Sequence, residues 1–385
     1  MIEIENLQAS YGPESSPKFI HKIDSKNETL HAEFNIKLYQ GLTSKKIEKE
    51  MTEMEKAYKN FSLDSALKDD DEDDMGFFPI KRPMLLKYYY EQRENHWLPS
   101  DLDMTEDRRD YDMCTTPEKD FINGILAFFI PADGLVVRNI FRRFQKDTSF
   151  WKEAVAFYAE QGSMETIHGE VYSLMADVMI RDHDLLKKLQ NSISQYSSVG
   201  KIASFMKKYM SRDFSLLERI LAFACIEGIL FTSAFTAVRW IKKRNILLGF
   251  CKANEWISRD EGIHFKFAVA LFLMICMRPN NEKPSMEKVY NIVEEAVDIN
   301  KDFINEILKA DLIGLSNEDL LDYTKCTADT LLESLEYPKL YNAVNKLDWM
   351  SILTLPNKTN FFEGKVAEYS QVENGEFIFD EDADF

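Results

Sequence analysis

The sequence is short of helix breakers. Of its 385 residues only 14 are glycine and 11 proline, and long stretches hold neither. That scarcity argues against a sheet-rich fold with many tight turns and predicts a mostly helical protein. Cysteine is also sparse. The five, Cys114, Cys225, Cys251, Cys276 and Cys326, are widely scattered and contain no CxxC pair. Such spacing argues against a disulfide framework and predicts reduced core thiols in a cytosolic or nuclear protein, with the cytoplasm expected. Positive charge is in deficit: 47 Lys and Arg face 65 Asp and Glu, a net charge of −18. Nucleic acid is therefore not an expected partner. The opening MIEIENLQAS has neither a basic nor an apolar leader segment, so no secretion signal is expected. The apolar run at 267–277, FAVALFLMICM, is too short to span a bilayer, and no membrane partner is expected. There is no Gly-rich phosphate loop and no short internal repeat.

What is present is apolar material for a large core: 45% hydrophobic and 12% aromatic residues. Residues 1–75 read as a polar extension, partly flexible, lying outside that core. Within it 44–60 could form an exposed charged helix, and the run Asp69–Asp74 suggests a mobile linker. Residues 76–350 read as a helical core. A short helix is expected around Leu85–Asn95. TTPEKD then signals a helix start, with Thr116 as N-cap, Pro117 at the first position and Glu118 in the first turn. That helix should run to about Gln145 and kink at Pro131. Further long helices are expected over about 148–181, 214–243 and 247–277, with two or three amphipathic ones in 285–350. From 351 to 385 periodicity fades into a flexible acidic tail.

The chemistry lies in isolated polar residues within these apolar helices. In FYAEQGSMETIHGEVYSLMAD, Glu165 and His168 stand three apart and share one face, and Tyr172 follows one turn later. A buried carboxylate and imidazole are costly without a partner or a metal. A twin pair, Glu261 and His264, lies in the fourth long helix. Glu227 is the lone acid of LAFACIEGILFTSAFTAVRW, and Asp133 the lone acid of AFFIPADGLVV. One ExxH alone is weak evidence, and a third, Glu28 with His31, lies in polar sequence that could not bury a metal. Four apolar helices, each bringing a carboxylate and two adding a histidine, form the donor set of a dinuclear iron or manganese site in a helical bundle. Taken singly, Tyr172, Phe231 and Phe235 are ordinary core aromatics, Trp97 and Tyr369 ordinary aromatics, and His183 a surface residue. Asp260 by itself could merely pair with Arg259.

Longer motifs narrow this reading. Phe157–Leu174 carries FYxxQxxxExIHxExYSL, Ser258–His264 carries SRDEGxH, Lys358–Tyr369 carries KTNFFExxVxEY, and the chain closes on FDEDADF. From Phe78 to Phe385 the sequence resembles the small, radical-generating subunit of class I ribonucleotide reductase, of the eukaryotic type. The resemblance implies an all-α, ferritin-like bundle holding two iron ions per chain, with manganese as the alternative. It implies Asp133, Glu165 and His168 as ligands of one ion and Glu227, Glu261 and His264 as ligands of the other. It implies a stable radical at Tyr172 and a shielding pocket of Phe231, Phe235 and Ile257. A relay through Asp260 and Trp97 is also implied, with Tyr369 passing the oxidising equivalent onward. The partner implied is the large catalytic subunit, docked by the tail peptide Phe379–Phe385, and the nucleotide would bind there. A homodimer is expected, with a heterodimer with a paralogue left open. The departures are Thr166 for Asn, Gly169 for Ser and Phe265 for Cys. Two rivals stand: a radical-deficient paralogue that stabilises an active subunit, and a stand-alone ferritin-like oxidase.

Overall fold

The structure, a computed structural model, describes residues 44–57, 62–71, 76–279, 281–307 and 315–347. Among these residues it is helical, with no β-strand. In chain order the helices are α1 (Ser44–Ala57), α2 (Leu63–Leu67), α3 (Pro83–Glu94), α4 (Asp107–Met113), α5 (Thr116–Asn139) and α6 (Lys152–Met179). Then come α7 (His183–Gln190), α8 (Ser192–Gln195), α9 (Ser197–Lys208), α10 (Leu216–Cys225), α11 (Thr232–Lys243), α12 (Leu248–Cys276), α13 (Met286–Ile307) and α14 (Asn317–Ser334). A π-helical turn, Ile140–Phe144, extends α5, and another, Ile226–Leu230, joins α10 to α11. Helices α5, α6, α10–α11 and α12 pack together, and α13 and α14 close over one side.

Local sequence explains the main boundaries. The cap of α5 is Thr115, one residue before the expected Thr116. Its backbone N–H and hydroxyl both donate to Glu118 Oε2, at 2.7 and 2.8 Å. Both threonines precede Pro117, so sequence alone cannot choose between them. Helix α5 runs unbroken through Pro131, and the irregularity comes later, in the π turn at Ile140–Phe144. The start of α12 is capped by another helix. Asp107 of α4 accepts the backbone N–H groups of Gly249 (3.0 Å) and Phe250 (2.5 Å), and Asp110 accepts that of Leu247 (3.0 Å). These bonds satisfy donors that the first turn of a helix leaves orphaned.

Two expectations about the N-terminal region change. Helix α1 is not simply an exposed charged helix, because Ile47 and Met51 are buried and it packs on α12. Residues 62–71 also belong to the core rather than lying outside it. Ala66 is fully buried, and Arg82 donates to the carbonyls of Ala66 (2.9 Å) and Lys68 (2.6 Å) and to both oxygens of Asp70 (3.0 Å each). The part of the acidic run that is described is thus held by a buried cation. His183 is exposed, as expected.

Thr116–Asp147 and Leu216–Lys243 are long and apolar enough to cross a membrane, but their most apolar windows are 72% and 94% buried within the bundle. Their apolar length serves the protein core. All five cysteines are free thiols, and all but the half-buried Cys276 are buried.

Candidate metal centre

Each long helix delivers its polar residue to one buried point. Asp133 on α5, Glu165 and His168 on α6, Glu227 in the π turn, and Glu261 and His264 on α12 are all at most 2% exposed. Glu227 sits where the helix widens to a π turn that takes in one extra residue, a device common at functional positions. Glu165, Glu227, Glu261 and His264 each offer a donor atom within 4.8 Å of the others. His168 joins them: its Nδ1 lies 3.2 Å from Glu261 Oε1 and 3.5 Å from Glu165 Oε2. His264 Nδ1 lies 2.8 Å from Glu261 Oε2 and 3.0 Å from Glu165 Oε1. Glu165 and Glu261 therefore each reach both imidazoles.

The electrostatics show a site built for positive charge. Burial pushes the Asp133 carboxyl well above its ordinary range, and the neighbouring Glu165 pushes it further. Burial does the same to Glu227, reinforced by Glu261. The imidazoles move against their burial. Asp260, Glu165 and Glu261 hold His168 well above its usual value, and Glu261 and Glu165 raise His264 to about 9. Glu261 is held low despite burial, chiefly by His264. Protons here take the place that cations would fill.

The residues fit a dinuclear metal ion site. Both oxygens of Asp133, Glu165 Oε2, His168 Nδ1, Glu227 Oε2, Glu261 Oε1 and His264 Nε2 are buried without a hydrogen-bond partner. Native cores leave only a few such atoms per about 100 residues, scattered, so seven gathered at one point call for a ligand. Carboxylate oxygen with imidazole nitrogen is a donor set for iron or manganese. One supporting residue escaped the sequence reading. Gln161, one turn before Glu165, places Nε2 at 3.3 Å from both Glu165 Oε1 and Glu227 Oε1, tying α6 to the π turn.

Trp97, Asp260 and the Tyr172 phenol flank this cluster. Trp97 Nε1 donates to Asp260 Oδ2 at 2.7 Å, and His168 Nε2 meets the same oxygen at 3.2 Å. Asp260 can accept the Nε2–H of His168, the arrangement that would leave Nδ1 available to a metal ion. Arg259 neutralises Asp260 Oδ1 at 3.2 Å and donates to Asn95 O at 2.7 Å, fixing the chain just before Trp97. Burial would raise Asp260, but His168, Arg259 and Trp97 together lower it.

Tyr172 is fully buried, and its hydroxyl donates to Asn254 Oδ1 at 2.9 Å. Burial, then the Asp133 charge, keeps the phenol protonated, well above its ordinary pKa. Phe129 stacks on it at 4.4 Å and 2°. Phe231 (5.7 Å) and Phe235 (5.0 Å) contact Phe129 in turn, and Ile257 is fully buried. The stacking ring, Phe129, was not singled out in the sequence, although it lies one turn before Asp133.

This arrangement has counterparts among known proteins. The profile of the family described as ribonucleotide reductase, small chain, matches residues 74–346. The chain belongs to that family. The ribonucleoside-diphosphate reductase small chain of Nicotiana tabacum is 38% identical over 315 residues, covering 79% of this chain and 94% of that protein. The small subunit of Dictyostelium discoideum is 35% identical over 319 residues, covering 83% and 93%. Among solved structures, the ribonucleotide reductase Rnr4 homodimer of Saccharomyces cerevisiae superposes with a TM-score of 0.66 at 28% identity, covering 84% of this chain and 96% of that one. The dimanganese(II)-NrdF of Streptococcus sanguinis superposes with a TM-score of 0.62 at 17% identity, covering 74% and 99%; this likeness shows the ferritin-like fold alone.

As a small chain, the protein accommodates its three sequence departures locally. Thr166 turns its hydroxyl back to Gly162 O (2.8 Å), away from the ligands. A Cβ at Gly169 would meet only Asp133 Cβ, at an ordinary 3.8 Å. The bulky Phe265 fits because it lies over Gly228, where any Cβ would come within 2.6 Å of the ring. Gly228 adjoins Glu227, so the departure is absorbed beside the candidate metal centre. Tyr369, the tail peptide Phe379–Phe385 and the stray Glu28–His31 pair lie outside the described residues.

Proposed function

We propose that this small chain of ribonucleoside-diphosphate reductase holds two iron ions, stores an oxidising equivalent as a radical on Tyr172, and lends it to a large catalytic subunit. Asp133, Glu165 and His168 would hold one ion, and Glu227, Glu261 and His264 the other. With O2, a dinuclear iron centre supplies the oxidising power to take an electron from a phenol. Manganese suits the same donors. The observation that carries this reading is the cluster of seven unpartnered donor atoms with a dry phenol one turn beyond His168.

The chain's own residues supply the rest. Tyr172 gives up an electron and its hydroxyl proton. Phe129, Phe231, Phe235 and Ile257 exclude water and reductants, so the radical persists. Asp260 fixes the His168 tautomer and accepts from Trp97, so cluster and indole share one hydrogen-bonded line. The tail, through Tyr369 and Phe379–Phe385, would meet the large subunit in the cytoplasm, from a homodimer. A short acidic peptide suits a partner groove, binding modestly and releasing.

Deleting the last seven residues tests the docking part. The truncated chain is expected to keep a full tyrosyl EPR signal and lose most turnover when mixed with the large subunit. Retained turnover, or loss of the radical itself, would show that the tail has another role.

A further inference from the structure

The hydrogen-bonded line from His168 ends at Trp97, and Trp97 is only 1% exposed. An oxidising equivalent that reaches this indole is still inside the protein. Its next aromatic contact on α12 is Trp256. The two rings lie 5.3 Å apart between centroids, tilted by 53°. Trp256 is half-buried, packed on the core on one side and open to solvent on the other. It stands one turn before Asp260 on the same helix, so the residue that bonds Trp97 and the residue that covers it share one face.

We propose that Trp256 is an electron-transfer residue that carries the oxidising equivalent from Trp97 to the protein surface. This rests on the reading of Trp97 and Asp260 as the relay. In the step, one electron passes from the Trp256 ring to oxidised Trp97. Trp97 returns to its neutral form and Trp256 is left one electron short. No bond forms or breaks, and the Trp256 indole N–H keeps its proton. The next donor, a phenol such as Tyr369 on the tail, returns the electron and gives its own proton to solvent. Contact between the rings keeps tunnelling short, and the hydrogen bond to Asp260 holds the Trp97 ring in place. The Lys252 ammonium lies 5.5 Å from the Trp256 ring centre. A cation over the ring favours its electron-rich neutral form, so the oxidised ring is a transient station and not a store.

Three substitutions in the iron-loaded complex with the large subunit test this. Trp256→Phe keeps an aromatic ring of similar shape but one far harder to oxidise. Trp256→Tyr restores an oxidisable ring. Trp97→Phe controls for the relay. The expected result is that Trp256→Phe keeps the tyrosyl EPR signal and the affinity for the large subunit but loses most of its kcat, while Trp256→Tyr recovers a substantial part. A structural role would give the two variants equal kcat, since phenylalanine packs as well as tyrosine, and that result would overturn the proposal. Wild-type kcat in Trp256→Phe with a dead Trp97→Phe overturns the proposal and leaves the relay standing. Wild-type kcat in Trp97→Phe overturns the relay itself. Weaker binding to the large subunit with unchanged kcat at saturation makes Trp256 a docking residue and overturns the proposal.

Discussion

Glu261→Ala should lose both metal ions, not one. Its carboxylate lies 3.2 Å from His168 Nδ1 and 2.8 Å from His264 Nδ1, so it faces the imidazoles of both halves of the site. Glu227, by contrast, is held from one side by Gln161 at 3.3 Å. Losing a residue that merely orients a ligand costs about 10- to 100-fold in metal affinity. Losing a carboxylate shared by both halves should cost more. Iron retained after anaerobic loading and dialysis is the measurement: close to none is expected for Glu261→Ala, and more for Glu227→Ala. Near wild-type retention in Glu261→Ala would mean that Glu261 is not shared.

The second large effect concerns stability. Arg82 is fully buried, and its Nη1 lies 2.8 Å from Glu153 Oε2 and 3.0 Å from Asp70 Oδ1. Glu153 is only 1% exposed. Arg82→Met would leave that carboxylate inside the protein without its cation, and breaking a buried pair in this way costs about 3–5 kcal/mol. Urea unfolding of the metal-free protein should show that loss. Residues 62–71 should also become accessible to protease, because Arg82 bonds their carbonyls.

The pH dependence gives a second check on the same network. Burial would raise Asp70, but the Lys152 N–H, Lys81 and Arg82 hold it below the ordinary carboxylate range. A depressed carboxylate adds stability that is present above the unfolded pKa and is lost as pH falls through the folded one. The wild type should therefore lose stability as the pH drops below about 4, and Arg82→Met should lose less over that window. An unchanged urea midpoint would show that the network is not what holds this segment.

The candidate ligands were legible because they break a pattern. An acid or imidazole alone in an apolar helix has few explanations, and Asp133, Glu165, His168, Glu227, Glu261 and His264 all proved buried. Their supports were not legible, because a support is defined by its tertiary partner. Gln161 and Asn254 are unremarkable amides until folding places one between Glu165 and Glu227 and the other against Tyr172. Phe129 looked like one more core ring. The π turn at Glu227 has no sequence signal comparable to a proline or a cap. The packing of 62–71 was hidden by composition, since acidic residues read as solvated until Arg82 is found beneath them.

The central claim is that this cluster, once metallated, oxidises Tyr172. The direct measurement is EPR after anaerobic Fe(II) loading and exposure to O2, on the wild type and on Tyr172→Phe, with bound iron determined on the same samples. The account predicts a tyrosyl signal in the wild type that is absent from Tyr172→Phe at equal iron content. Iron-loaded wild type without a radical, or a tyrosyl signal that survives in Tyr172→Phe, would contradict it.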